Sequence, residues 1–70
     1  MNRLIIDLEI YSKKNIETVK ELYKNLANIE EKTSGNKISL TFKNCRLDIR
    51  RTMKEFENYL IGLENTHADY

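Results

Sequence analysis

Four basic side chains crowd the start of the last helical stretch of the chain, where their charge could bind an anion. They are Arg46, Arg50, Arg51 and Lys54, and the end of the same stretch is acidic. Helix N-termini favour anions and C-termini favour cations, by about 0.3–1 kcal/mol for each well-placed charge. Because the charges here run in the opposite order, an anionic ligand or partner at the basic end is one explanation of the pattern.

Local ion pairs are the second explanation of the same basic residues. The candidate pairs are Arg51–Glu55, Lys54–Glu57 and Arg46–Asp48. Such pairs contribute roughly 0.2–0.5 kcal/mol each and are common on helix surfaces. Lys13 and Lys14 repeat the basic start at the first helical stretch. There, the alternative to an anion site is a solvated face of interleaved acids and bases.

The remaining reactive residue types do not combine into a catalytic or metal-binding pattern. Cys45 has no histidine near it in sequence to activate its thiol, and His67 stands alone in a polar tail. Asp7 and Glu9 share one side of a predicted strand, where we expect them to protect a strand edge. The sequence contains no phosphate loop, nucleophile elbow, zinc signature or dinucleotide-binding fingerprint. We therefore predict no enzyme activity, no metal and no cofactor.

Length and composition indicate one small domain over residues 1–70. The net charge is +1 and 33% of the residues are charged, which is less basic than a dedicated nucleic-acid-binding protein. One cysteine cannot form a disulfide within the chain, and an unpaired thiol suits a reducing cytosol. Asp7 and Glu9 interrupt any signal peptide, and no segment has the roughly 18 apolar residues of a membrane span. We expect a cytoplasmic protein that does not enter the membrane.

Hydropathy patterns predict one strand and one helix in the first half of the chain. Alternating apolar and polar residues predict a strand over about residues 2–11. Apolar residues at helical spacing then predict an amphipathic helix over about residues 14–33. Asn15 is the preferred N-cap and Ser12 the alternative, and Gly35 is placed to terminate the helix.

The second half of the chain predicts a strand over residues 37–43 and a helix over about residues 48–65. Between them, residues 45–49 either form a short third strand or lead into a helix that Asp48 caps. We expect the tail, residues 65–70, to be frayed.

These elements predict an α+β two-layer domain with two helices on one face of a small sheet. The order is either β-α-β-α, with parallel strands joined by a crossover, or β-α-β-β-α, which resembles a truncated ferredoxin-like unit. In the first layout both helices start at one edge of the sheet and all the basic residues gather there, whereas in the second the helices run oppositely and the basic residues separate. The predicted core consists of Leu4, Ile6, Leu8, Ile10, Val19, Leu22, Leu26, Ile38, Leu40, Phe42, Met53, Phe56 and Leu60.

Apolar residues outside the predicted core mark surfaces for self-association. Ile5 and Tyr11 interrupt the polar face of the first strand, and Tyr59 and Ile61 lie off the apolar stripe of the last helix. A sheet of two or three strands leaves a long strand edge exposed, which a second copy of the chain could cover. We therefore expect a homodimer.

The size and composition are similar to those of small accessory proteins of low-GC bacterial phages and mobile elements. Those proteins often act as stoichiometric inhibitors of host proteins, including defence nucleases. The resemblance implies a non-catalytic protein-binding module whose partner is a host protein with an acidic or nucleic-acid-mimicking surface. The alternative function is nucleic-acid or phosphate-ligand binding. Both use the same candidate binding residues, which are Lys13, Lys14, Arg46, Arg50, Arg51 and Lys54.

Overall fold

The computed structural model describes the backbone of residues 2–67 and the side chains of residues 2–65. Its elements, in chain order, are β1 (Arg3–Asp7), α1 (Lys13–Tyr23), β2 (Asn28–Ser34), β3 (Lys37–Lys43) and α2 (Ile49–His67). The three strands form one antiparallel sheet in the order β1-β3-β2. The predicted α+β fold, in its β-α-β-β-α form, is confirmed. This order of elements is that of a ferredoxin-like unit up to its second helix.

The core lies between the helices and one face of the sheet. β3 is the central strand, and its inward residues Ile38, Leu40 and Phe42 are fully buried because strict alternation puts all three on the same face. Phe56 of α2 packs edge-to-face on Phe42, with ring centroids 5.3 Å apart, and Tyr23 of α1 packs on Phe56 at 5.4 Å. These aromatic contacts join both helices to the middle of the sheet.

The two helices run in opposite directions across the sheet. The backbone N–H of Ser12, at the start of α1, donates to the carboxylate of Glu64 near the end of α2, at 3.1 Å. At the other end of the molecule, the N–H of Arg46 donates to the carbonyl of Leu26 at 2.8 Å. The start of each helix therefore lies beside the end of the other.

β2 is the main correction to the sequence-based prediction. The pattern predicts helix through residue 33, but α1 ends at Tyr23 and residues 28–34 pair with β3. Residues 45–49 do not form the third strand, because β2 already occupies that edge of β3 and the described chain from 44 to 48 is irregular. The structure thus has three strands, as in the β-α-β-β-α alternative, but the additional strand precedes residues 37–43 instead of following them.

The first strand is shorter than predicted and the core differs accordingly. The side-chain carboxylate of Asp7 accepts the Glu9 N–H, and the backbone carbonyl of Asp7 accepts the N–H groups of Ile10 and Tyr11. The chain therefore turns after residue 7. The predictions of Ile10 and Leu22 as core residues were wrong, because Ile10 lies in this turn and both are more than half exposed. The fully buried residues that the predicted core lacked are Ile16, Ala27 and Thr52.

The structure also changes the predicted roles of the residues that begin and end the helices. Ser12, rather than Asn15, caps α1, since its hydroxyl accepts the Asn15 N–H at 3.1 Å. Gly35 does not end a helix, but occupies the two-residue turn between β2 and β3 at a φ of 58°. Asp48 caps α2 as predicted, and α2 extends to residue 67. Residues 68–70, the rest of the predicted tail, lie outside the described residues.

Candidate binding surface

The basic start of α1 is neutralised by an acidic residue of β2. Glu31 accepts hydrogen bonds from Lys13 at 2.8 Å and from Lys20 at 2.6 Å. These two ammonium groups lower the pKa of Glu31 from 4.5 to about 2, with Lys13 the larger cause, and the same bond raises the pKa of Lys13. Lys13 is therefore part of an internal ion network rather than a free cation.

The acidic end of α2 stabilises the N-terminus of α1. The carboxylate of Glu64 accepts both the backbone N–H of Ser12 and the side-chain amide of Asn15. A negative charge here interacts favourably with the positive N-terminal end of the α1 dipole. It interacts unfavourably with the negative C-terminal end of the α2 dipole. The antiparallel packing of the helices thus gives a structural reason for the acidic residue that seemed misplaced in the sequence.

At the basic start of α2, one predicted local pair is present. Arg51 binds Glu55 at 3.1 Å, one turn further along the helix. The Arg51 backbone N–H donates to the Asp48 carboxylate at 3.0 Å, and the Asp48 carbonyl accepts the Thr52 N–H. An internal carboxylate therefore already occupies part of the site that an anion would use at this helix end.

Three cations of this segment have no acidic partner among the side chains of residues 2–65. Arg46, Arg50 and Lys54 are all exposed. Within residues 2–65, no carboxylate oxygen lies within 4.0 Å of their charged nitrogen atoms, so the predicted pairs Arg46–Asp48 and Lys54–Glu57 are not formed. Among the described residues, these three unpaired cations therefore lie just before α2 and in its first two turns.

Apolar residues adjoin these cations on the solvent side of α2. From residue 50, steps of four, three and four lead to Lys54, Glu57 and Ile61, which therefore share one helix face with Arg50. Ile61 is 38% exposed, and Leu47, just before the helix, is 55% exposed. We call the set Arg46, Leu47, Arg50, Lys54 and Ile61 the α2 surface, although its first two residues precede the helix and the exposed Glu57 lies on the same face between Lys54 and Ile61. The opposite face of the helix buries Phe56 and Leu60 in the core.

The six predicted binding residues do not form one cluster. Lys13 and Lys14 lie at the start of α1 and the other four at the start of α2, and the antiparallel helices place these starts at opposite ends of the molecule. Lys14 is exposed, with no carboxylate within 4.0 Å among the described side chains. The structure thus follows the layout in which the basic residues separate.

The residues predicted to mediate self-association also lie apart. Ile5 points away from the helices on the open face of the sheet, because its neighbours Leu4 and Ile6 face inward. Tyr59 and Ile61 belong to α2, in the helical layer. Tyr11 does not lie on the polar face of a strand, as predicted, but in the turn after β1, where it is half-buried against the core.

The residue types that could bind a metal or react as a nucleophile lie apart in the part of the chain that the structure describes. No group of three or more histidine, cysteine and acidic side chains among them could hold a metal ion. Cys45 is a half-buried free thiol that packs against the core, and the side chain of His67 lies outside the described residues. The two clefts, of about 370 and 480 Å³, are shallow and lined largely by charged and polar side chains.

The sequence-based prediction missed Leu47. A residue that precedes a helix N-cap often packs on an apolar residue four positions into the helix. Here that position is Thr52, whose hydroxyl instead donates to the Asp48 carbonyl at 2.9 Å. The sequence therefore contained a signal that Leu47 would stay exposed. The position on which it would pack is occupied by a threonine and not by an apolar residue.

Searches against protein-family models, curated proteins and solved structures found no match to this chain. In the part of the chain that the structure describes, neither helix is both long and apolar enough to cross a membrane.

Proposed function

We propose that this protein is a non-catalytic protein-binding module that docks an acidic partner on the α2 surface. The observation that carries the proposal is the group Arg46, Arg50 and Lys54, which is exposed and unpaired within residues 2–65, beside the exposed Leu47. Cations around an apolar contact attract an acidic partner as it approaches, and they fix its position once it is bound. An acidic segment with one or two apolar anchors matches this combination.

Two observations support a protein partner over a nucleic acid. The Asp48 carboxylate already accepts the backbone N–H of Arg51, so this N–H group at the start of α2 is not available to bind a phosphate. The second observation concerns the open face of the sheet, where single-stranded nucleic acids stack on aromatic rings in other folds. The residues of β1, β2 and β3 that face that side include no aromatic residue.

In the biological setting that its size and composition resemble, such a module would act as a stoichiometric inhibitor. We propose a cytoplasmic host protein as the target, with an acidic or nucleic-acid-mimicking surface that the α2 surface covers. Inhibition by occupancy requires only a docking surface, so it needs no catalytic group in this domain.

Selection from a random peptide library on the immobilised protein tests the proposal. We expect enrichment of peptides that combine acidic residues with leucine or a similar apolar residue. Binding of the enriched peptides should be lost in the Arg50→Glu/Lys54→Glu double variant, since the charge that attracts them is reversed. The matched control is Lys14→Glu/Lys32→Glu, which changes the net charge equally at exposed lysines elsewhere and should leave binding intact.

Two results would contradict the proposal. One is the absence of any enriched acidic peptide, or enriched peptides that bind the Arg50→Glu/Lys54→Glu variant as well as the native protein. The other is salt-sensitive binding of labelled duplex or single-stranded oligonucleotides, measured by fluorescence anisotropy at low and moderate salt, that the same variant abolishes. The second result would replace the protein partner with a nucleic acid.

A further inference from the structure

We propose that β1 is a homodimer interface, in which two copies pair their β1 strands antiparallel about a two-fold axis at Ile5. β1 is an edge strand, and its pairing with β3 uses only one of its two edges. No described residue pairs with the other edge. An exposed strand edge is a template for another strand, and a second copy of the same strand is the occupant that its sequence favours.

The hydrogen-bond alternation of the sheet directs the backbone groups of the odd-numbered residues to the free edge, where the carbonyl of Asp7 already accepts the N–H groups of Ile10 and Tyr11. Phe42 donates to the carbonyl of Asn2 and Leu8 donates to the carbonyl of Asn36, so the even-numbered residues of this segment exchange hydrogen bonds with β3. The N–H and C=O groups of Ile5 therefore point to the free edge. In a two-fold pairing at this residue, each Ile5 donates to the carbonyl of the partner's Ile5, and each Asp7 N–H can donate to the carbonyl of the partner's Arg3.

The charges of β1 complement themselves in this register. Antiparallel pairing centred on Ile5 places Arg3 opposite the partner's Asp7, and Asp7 opposite the partner's Arg3. Arg3 is exposed and has no carboxylate within 4.0 Å among the described side chains. The Asp7 carboxylate accepts the Glu9 N–H and binds Lys37 at 3.1 Å, and it remains partly exposed, so a second cation can approach it. Opposite charges directly across a strand pair stabilise it, and like charges destabilise it.

The same register matches the two faces of the strand. Leu4 meets the partner's Ile6 on the inward face, next to both cores, and the two Ile5 side chains meet on the open face. Ile5 is 54% exposed in the single chain. The result is a continuous sheet in the order β2-β3-β1-β1-β3-β2, with the helices of both copies on one face.

The other edge of the sheet is less suited to the same pairing, although Glu30 would there face the partner's Lys32. The free edge of β2 has the charged Glu31 at its centre, and the equivalent two-fold pairing would place two Glu31 residues opposite each other. Charged residues in the middle of an edge strand discourage strand addition. The contrast favours β1, and it does not depend on the proposed function of the α2 surface.

Charge reversal at the ends of β1 tests the interface by sedimentation velocity. Native protein should dimerise, and Arg3→Asp or Asp7→Arg alone should weaken the dimer by about tenfold, because like charges then face each other at both ends. An equimolar mixture of the two variants should recover a heterodimer, since every acidic position then faces an arginine. Circular dichroism establishes that each variant is folded before it is mixed.

Oxidative cross-linking tests the register even if a charge variant fails to fold. Residues directly opposite in a hydrogen-bonded antiparallel pair have Cα atoms about 5.5 Å apart, within disulfide range. In a Cys45→Ala background, Ile5→Cys should form a covalent dimer, whereas the Lys32→Cys control on β2 should not. A native protein that stays monomeric at millimolar concentration, a dimer unaffected by either charge reversal, or equal cross-linking of both cysteine variants would overturn the proposal.

Discussion

Glu31 is an acidic residue at an inward-facing position of an edge strand, and two lysines of α1 stabilise it there. The register places it opposite Leu40, which is fully buried, so a glutamate would be expected to disrupt the pairing. Hydrogen bonds from Lys13 and Lys20 satisfy the carboxylate, whose side chain is only 20% exposed. This network joins α1 to β2 through charged side chains.

We predict that Glu31 makes the free energy of unfolding decrease at acidic pH. Its pKa in the folded protein, about 2, lies below the ordinary value of 4.5, so its contribution is complete above pH 4.5 and is lost as the pH falls towards 2. Glu31→Gln should lower the free energy of unfolding by about 1–2 kcal/mol at neutral pH and flatten its decline in acid. Urea unfolding at several pH values measures both effects.

Glu30→Gln is the control for this experiment. Glu30 is the neighbouring acidic residue, but it points to the open face, and its ion pair with Lys43 is largely exposed. Its removal should change the unfolding free energy by only a few tenths of a kcal/mol. A Glu31→Gln variant that keeps the native acid dependence would show that the network does not contribute as described.

At the scale of the elements, the turn between β2 and β3 depends on Gly35 for its backbone conformation. Its φ of 58° favours glycine, and a Cβ atom there would meet no other atom within 4 Å. Gly35→Ala should therefore lower the free energy of unfolding by about 1 kcal/mol through backbone strain alone. Gly62→Ala, in helical backbone and equally unobstructed, should raise it by up to about 1 kcal/mol. Thermal unfolding of both variants would contradict this account if the two changes had the same sign.

The elements also show which parts of the fold the sequence could predict. β3 was predicted with its true bounds, 37–43, because its alternation is strict and all its inward residues are apolar. β2 was missed because Ile29 is its only large apolar inward residue, while Glu31 and Thr33 take the other inward positions. At an edge of the sheet, pairing with β3 and an ion network replace the hydrophobic pattern on which sequence reasoning relies.

For the molecule as a whole, the charge pattern predicted the basic residues of the candidate site but not Leu47. The sequence identified the basic start of α2, yet it could not show that Arg51 has an acidic partner and that, among the described side chains, Arg50 and Lys54 have none. It also could not show that the acidic residue Glu64 acts on α1, since that contact joins residues 52 positions apart in the chain. Long-range contacts decide which surface charges are left for a partner.

The most direct measurement of the central claim is a titration of isotope-labelled protein followed by amide NMR. The probe is a short synthetic peptide of glutamate and leucine, compared with its glutamine counterpart. We predict that the acidic peptide shifts the amide signals of residues 46–54 and of Ile61, leaves β3 unchanged, and that the glutamine peptide has a much smaller effect. Equal shifts with both peptides, or shifts centred on α1 or the open face of the sheet, would contradict the assignment of the α2 surface as the docking site.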